Sequence, residues 1–121
     1  MKIFESEYRF CLILWENEPI TRTELAEICS KKLDWSKTTT YTVIKRLSDR
    51  GVLEVDKKTS AVTSLISKEQ AQSEELDELM EKRFEGSLPA FIAAFAKRQK
   101  LSDKDIVEIE AIINGGGTNN G

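Results

Sequence analysis

Lys37, Thr38, Thr39, Thr42, Lys45 and Arg46 bring hydroxyls and cations together within ten residues of chain. Short hydroxyls and a guanidinium can read base edges in a major groove, and ammonium groups neutralise phosphates. The chemistry these residues suit is therefore recognition of duplex DNA. Catalysis lacks its usual parts. The 121 residues contain no histidine, which removes the commonest general base and metal ligand. No nucleophile is paired with a base, and Gly115–Gly117 follow a helical pattern near the end of the sequence, the wrong context for a phosphate-binding loop. The chain reads as a non-enzyme with no cofactor or metal. A solvated helix face carries the same residue types, so the surrounding elements must decide.

Those elements predict a winged helix-turn-helix. In Trp35–Leu53, Ser36 is a good N-cap and Gly51 a good residue just past the end, so a helix has defined limits. Thr40, Val43, Ile44 and Leu47 form its narrow apolar stripe, and Lys37, Thr38, Thr39, Thr42, Lys45, Arg46 and Arg50 cover the rest. Upstream, Phe4, Tyr8, Cys11, Leu12 and Trp15 share one face of a first helix, which Asn17-Glu18-Pro19 ends. Thr21-Arg22-Thr23-Glu24 is a capping box opening a second helix that buries Leu25, Ile28 and Cys29. Asp34-Trp35 makes the turn into the third. Val52–Val55 and Ala61–Ile66 read as two strands, with Lys57 and Lys58 at the tip of the loop between them. Two lysines at such a tip suit phosphates, though a hairpin can also be plain cover for a core.

Charge is gathered where this reading needs it. The chain carries a net charge of −3, yet residues 31–58 hold 8 Lys+Arg against 4 Asp+Glu, a net of +4. Residues 1–67 have a net of +1 and residues 68–121 a net of −4. Cys11 and Cys29 fall on apolar helix faces and read as buried thiols rather than a disulfide or metal site. No apolar run approaches the roughly 18 residues of a membrane span. MKIFESEYRF lacks a signal-peptide core, which gives a cytoplasmic expectation.

The second half is organised differently. Ser67 can cap a helix from Lys68 to about Arg83 whose first two turns, KEQAQSEE, are almost wholly polar and predict a solvent-bridging arm. Leu76, Leu79, Met80 and Phe84 then begin an apolar stripe. Glu85-Gly86 breaks the helix, and Ser87-Leu88-Pro89 starts another that is apolar on every side through Phe91, Ile92, Ala94 and Phe95. Leu101-Ser102 and Asp105 cap a last helix with a stripe of Ile106, Ile109, Ile112 and Ile113, ended by Asn114 and Gly115 and followed by GGGTNNG as a flexible tail. A unit of some 50 residues is too small to bury an all-apolar helix alone. Folding back on the winged helix is one solution. Pairing with a second copy is the other, and the polar arm favours it, through Leu79, Phe84, Leu88, Phe91, Ile92, Phe95, Ile106, Ile109 and Ile113. The expected architecture is thus mainly α with a small β-wing: a winged helix-turn-helix over 1–67, a helical dimerisation domain over 68–114 and a tail over 115–121.

Particular motifs resemble the penicillinase repressor family. They are Trp35-Ser36, Thr39, Tyr41–Leu47 and Arg50-Gly51, followed by FEGSLPAFIAAF at Phe84–Phe95 and LSDKDIVEIEAII at Leu101–Ile113. The resemblance covers nearly everything from Phe4 to Asn114. It implies a transcriptional repressor that binds double-stranded, dyad-symmetric operators as a homodimer, with Thr39, Thr42 and Arg46 matching recognition-helix residues that meet DNA. It also implies release by a membrane-bound sensor metallopeptidase system that leads to cleavage at an Asn-Phe bond in the dimerisation domain. Here the matching pair is Ala94-Phe95, so the Phe is kept and the Asn is replaced. Copper-responsive members carry a C-terminal cysteine cluster, and this sequence has no cysteine after Cys29. The rival from another class is a winged helix used purely for protein–protein assembly, which would not need Thr39, Thr42 and Arg46 on an open face. Salt-dependent binding to duplex DNA separates the two.

Overall fold

Phe4 starts the first helix: its N–H donates to the Glu7 carboxylate at 3.0 Å, and α1 runs over Glu5–Asn17. The computed structural model describes residues 2–119 and places them in two units, divided at Leu76/Asp77. In the first unit α1 is followed by β1 (Ile20–Thr21), α2 (Arg22–Leu33), α3 (Lys37–Asp49), β2 (Leu53–Val55) and β3 (Ala61–Ser64). The strands form one antiparallel sheet in the order β1-β3-β2, with Ile20 opposite Val62 and Leu53 opposite Ser64. This is a winged helix-turn-helix. The strand Ile20–Thr21 was not anticipated. Two residues make no readable alternation, but they pair along β3 just before the capping box closes α2.

The core of this unit is Phe10, Cys11, Leu14, Leu25, Cys29, Val43, Ile44, Leu47, Val52, Leu53 and Val62. Here the face of α1 differs from the sequence expectation. Glu7, Phe10, Cys11, Ile13 and Leu14 turn inward, whereas Phe4 is 53% exposed and Tyr8, Leu12 and Trp15 are half-buried. The true stripe, at i, i+3, i+4 and i+7, begins with a carboxylate, which hides it from an apolar pattern. Trp15 instead anchors the end of the wing, its indole N–H donating to the Ile66 carbonyl at 3.0 Å. Glu18, just past α1, accepts from the Ser64 N–H at 2.7 Å and from its hydroxyl.

Ser67 caps α4 (Lys68–Phe84), accepting from the Gln70 N–H at 3.0 Å. The turns expected to stand off as a bridging arm pack in part: Ala71 is buried, and residues up to Leu76 belong to the first unit. One alanine among polar residues makes a low-profile contact that a search for large apolar side chains passes over.

In the second unit α4 ends where predicted, with Glu85 and Gly86 both in the left-handed region and the Gly86 N–H closing on the Met80 carbonyl at 2.9 Å. Ser87 caps α5 (Leu88–Arg98) through the Ala90 N–H at 3.1 Å, with Pro89 in the first turn. Ser102 and Asp105 cap α6 reciprocally. That helix spans Asp103–Asn119, so it continues past Asn114 and Gly115, where the sequence suggested an end. Glycine weakens a helix by about 1 kcal/mol but keeps its N–H, so it does not force a stop. Of the tail expected over 115–121, residues 120 and 121 lie outside the described residues. No helix among the described residues is long and apolar enough to cross a membrane.

Candidate nucleic-acid interface

The third helix is held on one side and open on the other. Thr40, Val43, Ile44 and Leu47 are buried as their spacing predicts, and Ser36 caps the helix through the Thr39 N–H at 3.1 Å. Gly51 takes a φ of 77°, which permits the tight exit into β2. The Thr40 hydroxyl lies deep in the core with the Cys29 thiol as its polar neighbour. Burial pushes both thiols up, Cys11 to about 12, so neither is a thiolate at neutral pH.

Lys37, Thr38, Thr39, Thr42, Lys45 and Arg46 are all exposed. A helix turning 100° per residue puts Thr38, Thr42 and Lys45 on its outermost line, with Thr39 and Arg46 on one flank and Lys37 on the other. The Thr39 hydroxyl accepts from the Ser36 hydroxyl at 2.9 Å and keeps its own proton to donate. Lys45 lies 3.4 Å from Asp49, an exposed i, i+4 pair that holds it loosely. The wing tip is built by Asp56, whose carboxylate accepts from the Lys58 and Thr59 N–H groups at 2.8 and 2.9 Å. These bonds hold the Asp56 carboxyl below its ordinary value and leave Lys57 and Lys58 exposed beyond it.

Two features around α3 escaped the sequence reading. At its C-terminal end, Arg50 forms an ion pair with the buried carboxylate of Glu7, donates to the Lys2 carbonyl at 3.0 Å and lies over the Phe4 ring. Burial raises the Glu7 carboxyl, but Arg50, the Phe4 N–H and the charge of Arg46 outweigh it and hold the group below its ordinary value. The pair ties α1 to the end of α3, next to Arg46. At the other end, Arg22 and Lys37 both approach the Tyr41 ring, at 5.4 and 5.5 Å from its centroid. Tyr41 and Lys37 sit four apart and were visible as neighbours; Arg22 comes from α2 and needed the fold.

The residues expected to dimerise lie in the second unit and on the end of α4. Phe84 and Phe91 meet edge to face at 5.3 Å and are half-buried, as are Ile109 and Ala94. Leu79, Leu88, Ile92, Phe95, Ile106 and Ile113 are exposed, Leu88 to 58% and Ile113 to 64%. No residue of α5 is buried. The Ala94-Phe95 bond lies inside α5, where the Phe95 carbonyl accepts from the Gln99 N–H at 3.0 Å.

Comparison with known proteins agrees with this architecture. The penicillinase repressor family matches over residues 3–115. The chain is 24% identical over 115 residues, 93% of its own length and 94% of theirs, to the methicillin resistance regulatory proteins MecI of Staphylococcus aureus (strain Mu50 / ATCC 700699), Mammaliicoccus sciuri and Staphylococcus epidermidis. The chain therefore belongs to the penicillinase repressor family and is a transcriptional repressor of that type.

Proposed function

We propose that the chain works in the cytoplasm as a homodimer on dyad-symmetric operators, each copy laying α3 in a major groove. The observation that carries this reading is the open face of α3, where Thr38, Thr39, Thr42, Lys45 and Arg46 are exposed while the opposite stripe is buried. A helix about 10–12 Å across fills a major groove of about 12 Å, so this face meets base edges and its flanks meet the phosphate walls. Arg46 and Thr42 supply base contacts, and Lys57 and Lys58 reach phosphates from the wing. Residues 1–67 are the DNA-binding domain and 68–114 the dimerisation domain in this reading.

The apolar surface of the second unit supports the homodimer. Leu79, Leu88, Ile92, Phe95, Ile106 and Ile113 cannot stay exposed at low cost, and a second copy covers them by two-fold symmetry. Two coupled winged helices then match two half-sites about one helical turn apart. The relatives' name, methicillin resistance regulatory protein, supports target genes of antibiotic resistance. Release follows a signal from a membrane-bound sensor metallopeptidase, with the Ala94-Phe95 bond as the candidate cleavage point. That bond is helical, so α5 must open locally before a protease can reach it.

The test is a footprint on the DNA upstream of the chain's own gene, with affinity followed across a salt series. Protection of two half-sites and a steep fall of affinity with salt are expected. A chain that pairs but binds no duplex at any salt is an assembly module instead.

A further inference from the structure

Arg22, Thr23, Lys37 and Tyr41 form a cluster of which the reading of α3 and the wing uses only Lys37. Arg22 and Thr23 open α2, and Lys37 and Tyr41 lie on the first two turns of α3. Two cations within 5.5 Å of one ring centroid are favourable to the ring but repel each other. Among the described residues neither has a carboxylate within ion-pair distance. Glu24, the nearest acid along the chain, is turned back to Thr21, accepting from its hydroxyl at 2.8 Å and from its N–H. Glu27 lines the neighbouring hollow with Thr23 and Lys37 and pairs with neither. The Tyr41 and Thr23 hydroxyls share a hydrogen bond of 3.4 Å. That bond, with the charges of Lys37 and Arg22, holds the Tyr41 phenol below its ordinary value despite some desolvation, a sign of positive potential at its oxygen.

Position then selects the anion. Tyr41 also borders the shallow hollow formed by Thr38, Thr42, Lys45 and Arg46, so the cluster is continuous with the groove-facing surface of α3. It sits on the flank of the helix, where the wall of an occupied major groove runs. The geometry points to a backbone-phosphate station: Arg22 and Lys37 neutralise phosphates along this flank, the Thr23 hydroxyl donates to the Tyr41 oxygen, the Tyr41 hydroxyl donates to a phosphate oxygen, and the Tyr41 ring keeps both cations in place. This rests on the DNA-binding reading and adds Arg22, Thr23 and Tyr41 to it. A phosphate contact carries no sequence information, so the station sets register and affinity, not base preference.

The experiment measures the affinity of the full chain for a labelled duplex from its own upstream DNA and for a scrambled duplex of equal length, each across a potassium chloride series. Arg22→Ala is expected to weaken both duplexes by the same factor and to lower the salt slope by about 0.9 for each bound copy. Arg22→Lys keeps the slope, because the charge remains. Tyr41→Phe retains the ring and weakens both duplexes severalfold with the slope unchanged. All three variants melt at the wild-type temperature, since Arg22 and the lost hydroxyl are at the surface. If wild type shows a steep slope and Arg22→Ala and Tyr41→Phe match it in slope and affinity, the station is overturned and the DNA-binding reading stands. A variant that loses only discrimination between the duplexes also overturns it, because that is base readout. Wild type binding neither duplex overturns both readings.

Discussion

The two units of this chain bury their apolar residues to opposite extents. Phe10, Leu14, Leu25 and Leu47 in the first are wholly enclosed within a single copy. Leu88, Ile92, Phe95, Ile112 and Ile113 in the second are exposed, Ile112 to 70%. The first unit closes its core because three helices and a sheet surround one another. Taken by itself, the second has the end of one helix and two more, one of them apolar on every side, and too little structure to cover them. A core that closes within one chain gives stability independent of concentration, while a surface that closes against a second copy ties stability to association.

The sharpest way to break this contrast is Phe91→Asp. Phe91 packs on Phe84, and a charge there opposes any apolar contact between copies, costing several kcal/mol. Sedimentation should show a dimer becoming a monomer, and operator affinity should fall by roughly 10²–10⁴ as the second half-site is lost. The first unit should stay folded. A wild-type chain that sediments as a monomer at micromolar concentration defeats the contrast itself.

Leu47→Ala probes the other side. Leu47 is wholly buried, so truncation should cost about 2–5 kcal/mol and lower the first unit's melting temperature equally at every protein concentration. The counterpart Ile92→Ala should give a transition that shifts with concentration. If both variants respond to concentration alike, the two cores are not distinct.

Arg46→Ala leaves both cores intact and should cost roughly 1–3 kcal/mol of operator affinity at matched salt, measured by anisotropy. Undiminished binding would remove Arg46 from the base-reading set. Glu7 offers a smaller effect read through pH. Its folded carboxyl lies below its unfolded value near 4.5, so its pairing with Arg50 contributes stability above that pH. The contribution is lost as pH falls through the folded value. Glu7→Gln should therefore destabilise the first unit by about 1–2 kcal/mol at pH 7 and flatten its acid sensitivity in melts between pH 3 and roughly 5. An unchanged acid profile would show that Glu7 does not couple folding to pH. The smallest effect belongs to Lys57 and Lys58. Removing both should flatten the salt slope by about one to two units for each bound copy without changing specificity, and an unaltered slope would mean the wing tip stays clear of the backbone.

Much of this was legible along the chain because its signals are local. The caps Thr21-Glu24, Ser36, Ser67, Ser87 and Ser102-Asp105 each satisfy N–H groups a few residues away, so they mark helix starts without reference to the fold. Thr40, Val43, Ile44 and Leu47 bury one side of α3 by periodicity alone, which determines that Thr38, Thr42 and Arg46 face outward. The motifs of α3 and of Phe84–Ile113 were enough for the family resemblance. The tertiary structure decided what depends on distant partners. Glu7 could join the buried face of α1 only because Arg50, forty-three residues on, neutralises it. Ile20–Thr21 became a strand only because β3 offered unpaired backbone groups. Ala71 is buried by the fold, although nothing in the polar run around it marks it as core. Arg22 reached Tyr41 only because α2 and α3 pack together. Periodicity and capping act over one or two helical turns. Charge pairing, sheet edges and low-profile packing act across space and leave no fixed interval in the sequence.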